Sequence, residues 1–252
     1  MKILGIESAS VTASAAVLSD DILLAEYTTN YKKTHSETLL PMVSEILRMT
    51  GTAPEDLTII AVSEGPGSFT GLRIGAAAAK GLAFALDIPI VPVPTLDAIA
   101  YGMAGSADIL CPLMDARRGE VYSGLYEFDG TELIVHKKAE ALPCTEQVRR
   151  AEELAEERGK RVMYLGDGLP VFREEIAKLT EGRALFAPPQ LQNQRAGSVA
   201  ALGKILYERG IVSDAYSFSP LYLRKSQAEQ EREAMGLSIE PVSIEPAGDP
   251  AR

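Results

Sequence analysis

Apolar and polar positions change their period several times along the 252 residues. Lys2 to Leu18 reads as an apolar strand, a polar turn around Glu7-Ser8-Ala9-Ser10 and a returning strand of small residues, and Ile22 to Thr29 reads as a third strand of the same meander. From Thr34 the period lengthens. Leu39, Leu40, Val43, Ile46 and Leu47 recur at helical spacing, with Met42 and Met49 widening the stripe. Thr34-His35-Ser36-Glu37 fits a capping box at the start of that helix, Pro41 should bend it, and Gly51 should stop it.

The stretch from Ile59 to Leu86 organises the rest. Ile59 to Val62 predicts a strand, Gly65-Pro66-Gly67 a tight turn, and Thr70 the N-cap of a helix made almost wholly of small residues. A glycine inside a helix costs about 1 kcal/mol relative to alanine, so Gly75 and Gly81 predict a close approach to the helix axis. Ile88 to Val93 is a buried strand ended by Pro94, with Thr95 capping a short helix, and a lobe boundary is expected near Gly105-Ser106. Ile109 to Met114, the acid-bearing turn from Asp115, and the strand pair around the Asp129-Gly130 turn repeat the opening scheme, so the two halves read as a duplication.

A charged amphipathic helix is predicted from Glu146 to Lys160 and a strand from Arg161 into the Gly166-Asp167-Gly168 turn. That turn is compatible with a nucleotide cradle and reads first as an ordinary turn. Ala196 to Glu208 is an apolar-faced helix and Ser217 to Glu229 a late extended segment. Residues 229–252 are acidic and proline-bearing, with Ser-Ile-Glu-Pro twice, and predict a disordered tail.

Composition narrows the function. A net charge of −10 opposes direct gripping of nucleic acid, and the basic pairs Lys32-Lys33, Arg117-Arg118, Lys137-Lys138 and Arg149-Arg150 are too scattered for a binding stripe. No apolar run is read as a membrane span and no signal-peptide pattern precedes the first strand, so the expected location is cytoplasmic. Cys111 and Cys144 form no paired motif and are read as packing residues. His35 and His136 are the only histidines, so neither a metal site nor a Ser/His/Asp arrangement is expected, and His35 reads as a surface or interface residue.

Five stretches, ILGIESAS, HSETLLP, SEGPGSFTGLRIG, DARRGEVY and SPLYLRKSQAE, closely resemble the TsaB (YeaZ) family over residues 1–228. The resemblance implies an α/β, two-lobed actin-like (ASKHA) fold, with residues 1–105 as the first lobe, 106–228 as the second and the last segment of the second a candidate to return to the first. It implies a non-catalytic subunit of a complex that transfers a threonylcarbamoyl group to adenosine 37 of certain tRNAs. The partners so implied are a TsaD-like catalytic subunit and a TsaE-like ATPase subunit, with tRNA reached only through them and no cofactor of its own. The catalytic sister family carries a His-x-x-x-His metal motif just after the strand matching Ile88 to Val93. Here Thr95 and Ile99 stand there, or Pro94 and Ala98 with the alignment shifted by one, and none ligates a metal as imidazole does.

The phosphate-loop candidates are Glu7, Ser8, Ser10 and Asp115; the first acid is a glutamate where the family usually has aspartate. The partner-interface candidates are His35, Leu39, Met42, Val43 and Ile46 on the first helix, and Gly71, Arg73, Gly75, Ala78, Ala79 and Leu82 on the second. The face of Gly75, Ala78, Ala79 and Leu82 is expected to meet the catalytic subunit, or a second copy of the chain in a homodimer; the rival reading is that both helices only cover their own sheet. An alternative of another class is a stand-alone ASKHA-type ATP-dependent phosphotransferase using Glu7 and Asp115.

Overall fold

The computed structural model describes residues 1–31 and 34–224, so the expected tail of 229–252 and the end of the late extended segment lie outside the described residues. The first half runs β1 (Lys2–Glu7), β2 (Ala13–Ser19), β3 (Ile22–Thr29), α1 (His35–Thr50), β4 (Ile59–Gly65), α2 (Phe69–Leu86), β5 (Ile90–Pro94) and α3 (Thr95–Tyr101). The second runs β6 (Ile109–Asp115), β7 (Glu120–Asp129), β8 (Glu132–Pro143), α4 (Cys144–Arg158), β9 (Val162–Leu165), α5 (Leu169–Leu179), β10 (Leu185–Phe186), α6 (Pro189–Gln192) and α7 (Ala196–Glu208). The strands form two five-stranded sheets, β3-β2-β1-β4-β5 and β10-β9-β6-β7-β8. In each, the leading strand pairs antiparallel with its meander neighbour and parallel with the strand that follows the first helix. The same order twice over is the duplicated two-lobed actin-like (ASKHA) architecture.

Alternation along the strands decides which helix covers which face. Leu4 and Ile6 of β1, Val17 of β2 and Ile60 and Val62 of β4 point to one side, where α1 and α2 cover them with Leu39, Val43, Ile46, Ala76, Ala79 and Ala83. Ile3, Ile59, Ala61, Val91 and Val93 point to the other, where α7 places Val199, Ala200 and Leu202. The returning segment is therefore α7, which packs on β1, β2, β4 and β5 of the first lobe. The fit is tight: a β-carbon at Gly5 would overlap the Ala196 carbonyl, and one at Gly203 would lie 2.5 Å from Ala61 Cβ.

In the second lobe, Ile109, Cys111 and Leu113 of β6 face α4 and α5, and both cysteines are buried. Its other face does not meet solvent. Leu110, Met114 and Tyr126 join Ala9, Leu72, Leu96, Ile99 and Ala100 of the first lobe in one shared apolar cluster. Tyr126 also donates its hydroxyl to Asp97 Oδ1 at 2.8 Å across the junction.

Local chemistry departs from expectation at several element ends. α2 opens two residues early, capped by Ser68, whose Oγ accepts from the Gly71 amide at 3.3 Å, because Thr70 already lies inside the helix. Thr34 precedes α1 without a side-chain cap: its carbonyl takes the Glu37 amide at 3.0 Å while its hydroxyl receives Ser36 Oγ at 3.2 Å. Thr95 is the first residue of α3, and its buried hydroxyl has no partner among the described residues. Gly51 closes α1 in the left-handed conformation, φ 60°, as predicted. α5 and β10 were not expected from the sequence. Among the described residues, α2 is also long and apolar enough to cross a membrane, against the expectation that no run reaches that length, yet its inner side is packed into the first lobe.

Candidate functional site

Two places follow from this architecture, the cleft where the acid-bearing turns of both lobes meet and the outer face of the α1 and α2 layer. Glu7 ends β1 and is only 1 % exposed. Its Oε1 accepts the Ala9 amide at 2.6 Å, and its Oε2 accepts the Ser63 hydroxyl. Burial pushes its pKa up to about 7 against the pull of those two bonds. Asp115 ends β6 in the same way: Oδ1 accepts the Arg117 amide at 2.8 Å, and Oδ2 faces the Arg117 guanidinium at 3.2 Å. Each acid therefore accepts an amide two residues ahead and is engaged by its own turn.

Ser8 is buried, with its Oγ donating to the Gly71 carbonyl at 2.9 Å. Ser10 Oγ accepts the Thr12 amide at 3.1 Å. The cleft, about 470 Å³, is lined by Ser10 and Asp115 together with Ser68, Arg117, Tyr122 and Asp167. Of the four phosphate-loop candidates, the structure brings Ser10 and Asp115 to it. Glu7 and Ser8 do not line it, because the start of α2 and its preceding turn press on residues 8 and 9: a β-carbon at Gly67 would overlap the Ala9 carbonyl and one at Gly71 the Ser8 carbonyl.

Asp167, read from the sequence as part of a turn, is the cleft residue that was missed. It sits in the loop between β9 and α5, where burial raises its pKa to about 6 and the 2.9 Å bond from Gln194 Nε2 opposes the rise. Its glycine neighbours were the available signal; its position facing the first lobe depends on how the second sheet docks. Arg117, Arg118 and Gly119 run consecutively through the left-handed region at φ 67°, 57° and 79°, a conformation that costs about 1–2 kcal/mol for a residue with a β-carbon. Among the described residues no three His, Cys, Asp or Glu side chains converge as a metal site requires. Thr95 and Ile99 lie buried in the first lobe and at the shared cluster.

The helix layer corrects the interface expectation. Leu39, Val43 and Ile46 of α1 and Ala79 of α2 are core residues of their own lobe, and Gly71 and Gly75 are buried against Ser8. They lie inward because Leu4, Ile6, Val17, Ile60 and Val62 leave an apolar sheet face that must be covered. Met42, Ala78 and Leu82 are half-buried on the flank of that core, His35 is half-buried, and Arg73 is exposed. Exposed apolar residues remain on both helices, Leu40 at 52 % and Met49 at 61 % on α1 and Phe84 at 64 % on α2, where Ala77 and Gly81 are exposed as well. A β-carbon at Gly81 would touch nothing within 4 Å. Ala77, Gly81 and Phe84 stand at i, i+4 and i+7, a second stripe that was legible in the sequence beside the first.

Comparison with known proteins adds a family. The family model described as "TsaD: tRNA N6-adenosine threonylcarbamoyltransferase" matches residues 22–232. The chain is 35 % identical to the tRNA threonylcarbamoyladenosine biosynthesis protein TsaB of Bacillus subtilis, over 91 % of this chain and 96 % of that one. It is 37 % identical to the TsaB protein of Escherichia coli, over 56 % of this chain and 62 % of that one. Among solved structures, YeaZ from Pseudomonas aeruginosa superposes with a TM-score of 0.70 at 26 % identity, covering 88 % of this chain and 99 % of that one.

Proposed function

The chain belongs to the TsaB family of tRNA threonylcarbamoyladenosine biosynthesis proteins, and from that premise we propose that it is a non-catalytic subunit that docks on and supports a TsaD-like catalytic subunit. The complex so formed transfers a threonylcarbamoyl group to adenosine 37 of tRNA in the cytoplasm. A TsaE-like ATPase joins the same complex, and tRNA is reached through the partners, in keeping with a net charge of −10.

The observation that carries this reading is the outer face of α2. Exposed Phe84 stands there in line with small Ala77 and Gly81, an apolar anchor beside positions where another helix can come close. The cleft supports it from the other side. Glu7 and Asp115 are already engaged by their own turns, and the start of α2 fills the space behind residues 8 and 9 and keeps Glu7 and Ser8 from lining the cleft.

The test is titration of the purified chain into the TsaD-like protein of the same cell, by calorimetry, for wild type and for Gly81→Glu and Ala77→Glu. Both substitutions are exposed in the free chain, so melting temperature should hold. Affinity should fall at least about a hundredfold, because a carboxylate would be trapped without a partner in the interface. Wild-type affinity in both variants would move the docking surface elsewhere.

A further inference from the structure

The turn between β1 and β2 is gripped, residue by residue, by the two helices that form the outer layer. Ser8 Oγ donates to the Gly71 carbonyl in the first turn of α2 at 2.9 Å. The Ala9 carbonyl accepts the amide of Ser68, the α2 cap, at 2.7 Å. The Ser10 carbonyl lies 2.6 Å from Nε2 of His35, the first residue of α1. A carbonyl only accepts, so Nε2 is the donor of this bond. The other ring nitrogen, Nδ1, is buried and has no hydrogen-bond partner among the described residues.

The packing leaves no slack. A β-carbon at Gly75 would overlap Ser8 Oγ, and one at Gly71 would lie 3.4 Å from His35 Cδ2 as well as overlapping the Ser8 carbonyl. We propose that the turn Ser8–Ser10 is the gauge that fixes α1 and α2 relative to one another, with Ser8 and His35 as positioning residues for the docking surface on the far side of the layer. The effect on docking rests on the reading given under Proposed function; the effect on the helices does not.

Geometry supplies a rescue test. Gly75→Ala drives a methyl group onto Ser8 Oγ, whereas in Ser8→Ala/Gly75→Ala that oxygen is gone and the remaining Cβ to Cβ separation is 3.5 Å, ordinary van der Waals contact. Two readouts are taken on the full chain: hydrogen exchange of amides 71–80 in the free protein, and affinity for the TsaD-like subunit alongside the rate of tRNA modification at saturating chain. Gly75→Ala should accelerate exchange and weaken affinity by roughly tenfold, the scale of an overpacked contact. The double variant, relieved of the clash but without the Ser8 hydroxyl's bond to the Gly71 carbonyl, should fall between Gly75→Ala and wild type in both, and the saturating rate should not change in either. His35→Phe should weaken affinity and His35→Gln, which keeps an N–H donor, should not. Wild-type exchange in Gly75→Ala, or a double variant no better than the single one, overturns the proposal. If the wild-type chain fails to bind the TsaD-like subunit, the docking reading falls, and the exchange rescue in the free chain still decides the role of the turn.

Discussion

Glu7 holds a proton in the folded chain at pH values where the unfolded chain has released it, because burial of its carboxyl outweighs the donors that would favour the carboxylate. With its pKa raised from 4.5 to about 7, the stability it favours is complete below pH 4.5 and is lost as pH rises through 7. Asp167, raised from 3.8 to about 6 by burial, acts in the same direction over a lower window. Urea unfolding should therefore show stability falling by about 1–3 kcal/mol between pH 5 and 8. Glu7→Gln should flatten most of that slope, since its amide oxygen can still accept the Ala9 amide and its nitrogen can donate to Ser63. An unchanged slope in the variant would place the titrating group elsewhere. Glycines sort by the same local logic: Gly81→Ala, with nothing within 4 Å of the new methyl, should raise stability of the free chain by about 0.5–1 kcal/mol in urea unfolding.

At the scale of elements, the helix α2 has two stripes of small residues with opposite roles. The stripe of Gly71, Gly75 and Ala79 lets α2 seat on its own β1–β2 turn and sheet, and Ala79→Glu should cost several kcal/mol and lower the melting temperature of the free chain sharply. The stripe of Ala77 and Gly81 leaves the chain's own fold untouched. The sequence carried both, and periodicity alone could not say which faced inward, since that depends on where Leu4, Ile6 and Val17 of neighbouring strands end up. α7, with its clean helical period, stands where its pattern puts it, β3 occupies the run read for it, and the repeated strand scheme is legible in the sequence. α5 was not, because exposed Val171 and Leu179 blur its buried stripe of Leu169, Phe172 and Ile176. Thr34 holds the N-cap position read for it but makes no side-chain cap, and Thr70 and Thr95 lie inside their helices, for a shared reason: a hydroxyl near a helix start signals the start, and which backbone amide it reaches is settled by the turn before it. In the cleft, the acids at the strand ends were legible, but not that they would be consumed by their own turns.

For the whole molecule, the cluster in which Leu72, Leu96 and Ile99 meet Leu110, Met114 and Tyr126 gives the lobes one interior in common. Phe218 to Arg224 adds a strap: the Leu221 amide donates to the Glu64 carbonyl at 2.6 Å, Tyr222 packs on Phe69, and Arg224 pairs with Glu120 of the second lobe. A chain of two lobes would ordinarily unfold in two steps. Here far-ultraviolet and near-ultraviolet circular dichroism should trace one coincident urea transition, and separated midpoints would show that the shared cluster does not couple the lobes. The placement of α7 has a consequence for how the protein is made. The earlier of the two halves is closed by a helix that lies beyond the second sheet in the sequence, so a nascent chain emerging from the ribosome shows Ile3, Ile59, Val91 and Val93 uncovered until residue 208 has been added. At roughly 5–20 residues per second, the wait after residue 105 is on the order of 5–20 s, long enough for a chaperone to compete for that surface. Residues 1–105 expressed alone should aggregate, and joining 196–224 to them through a short flexible linker should restore a soluble, cooperatively folding lobe. The half that is translated earlier thus becomes native only once the later half has supplied α7.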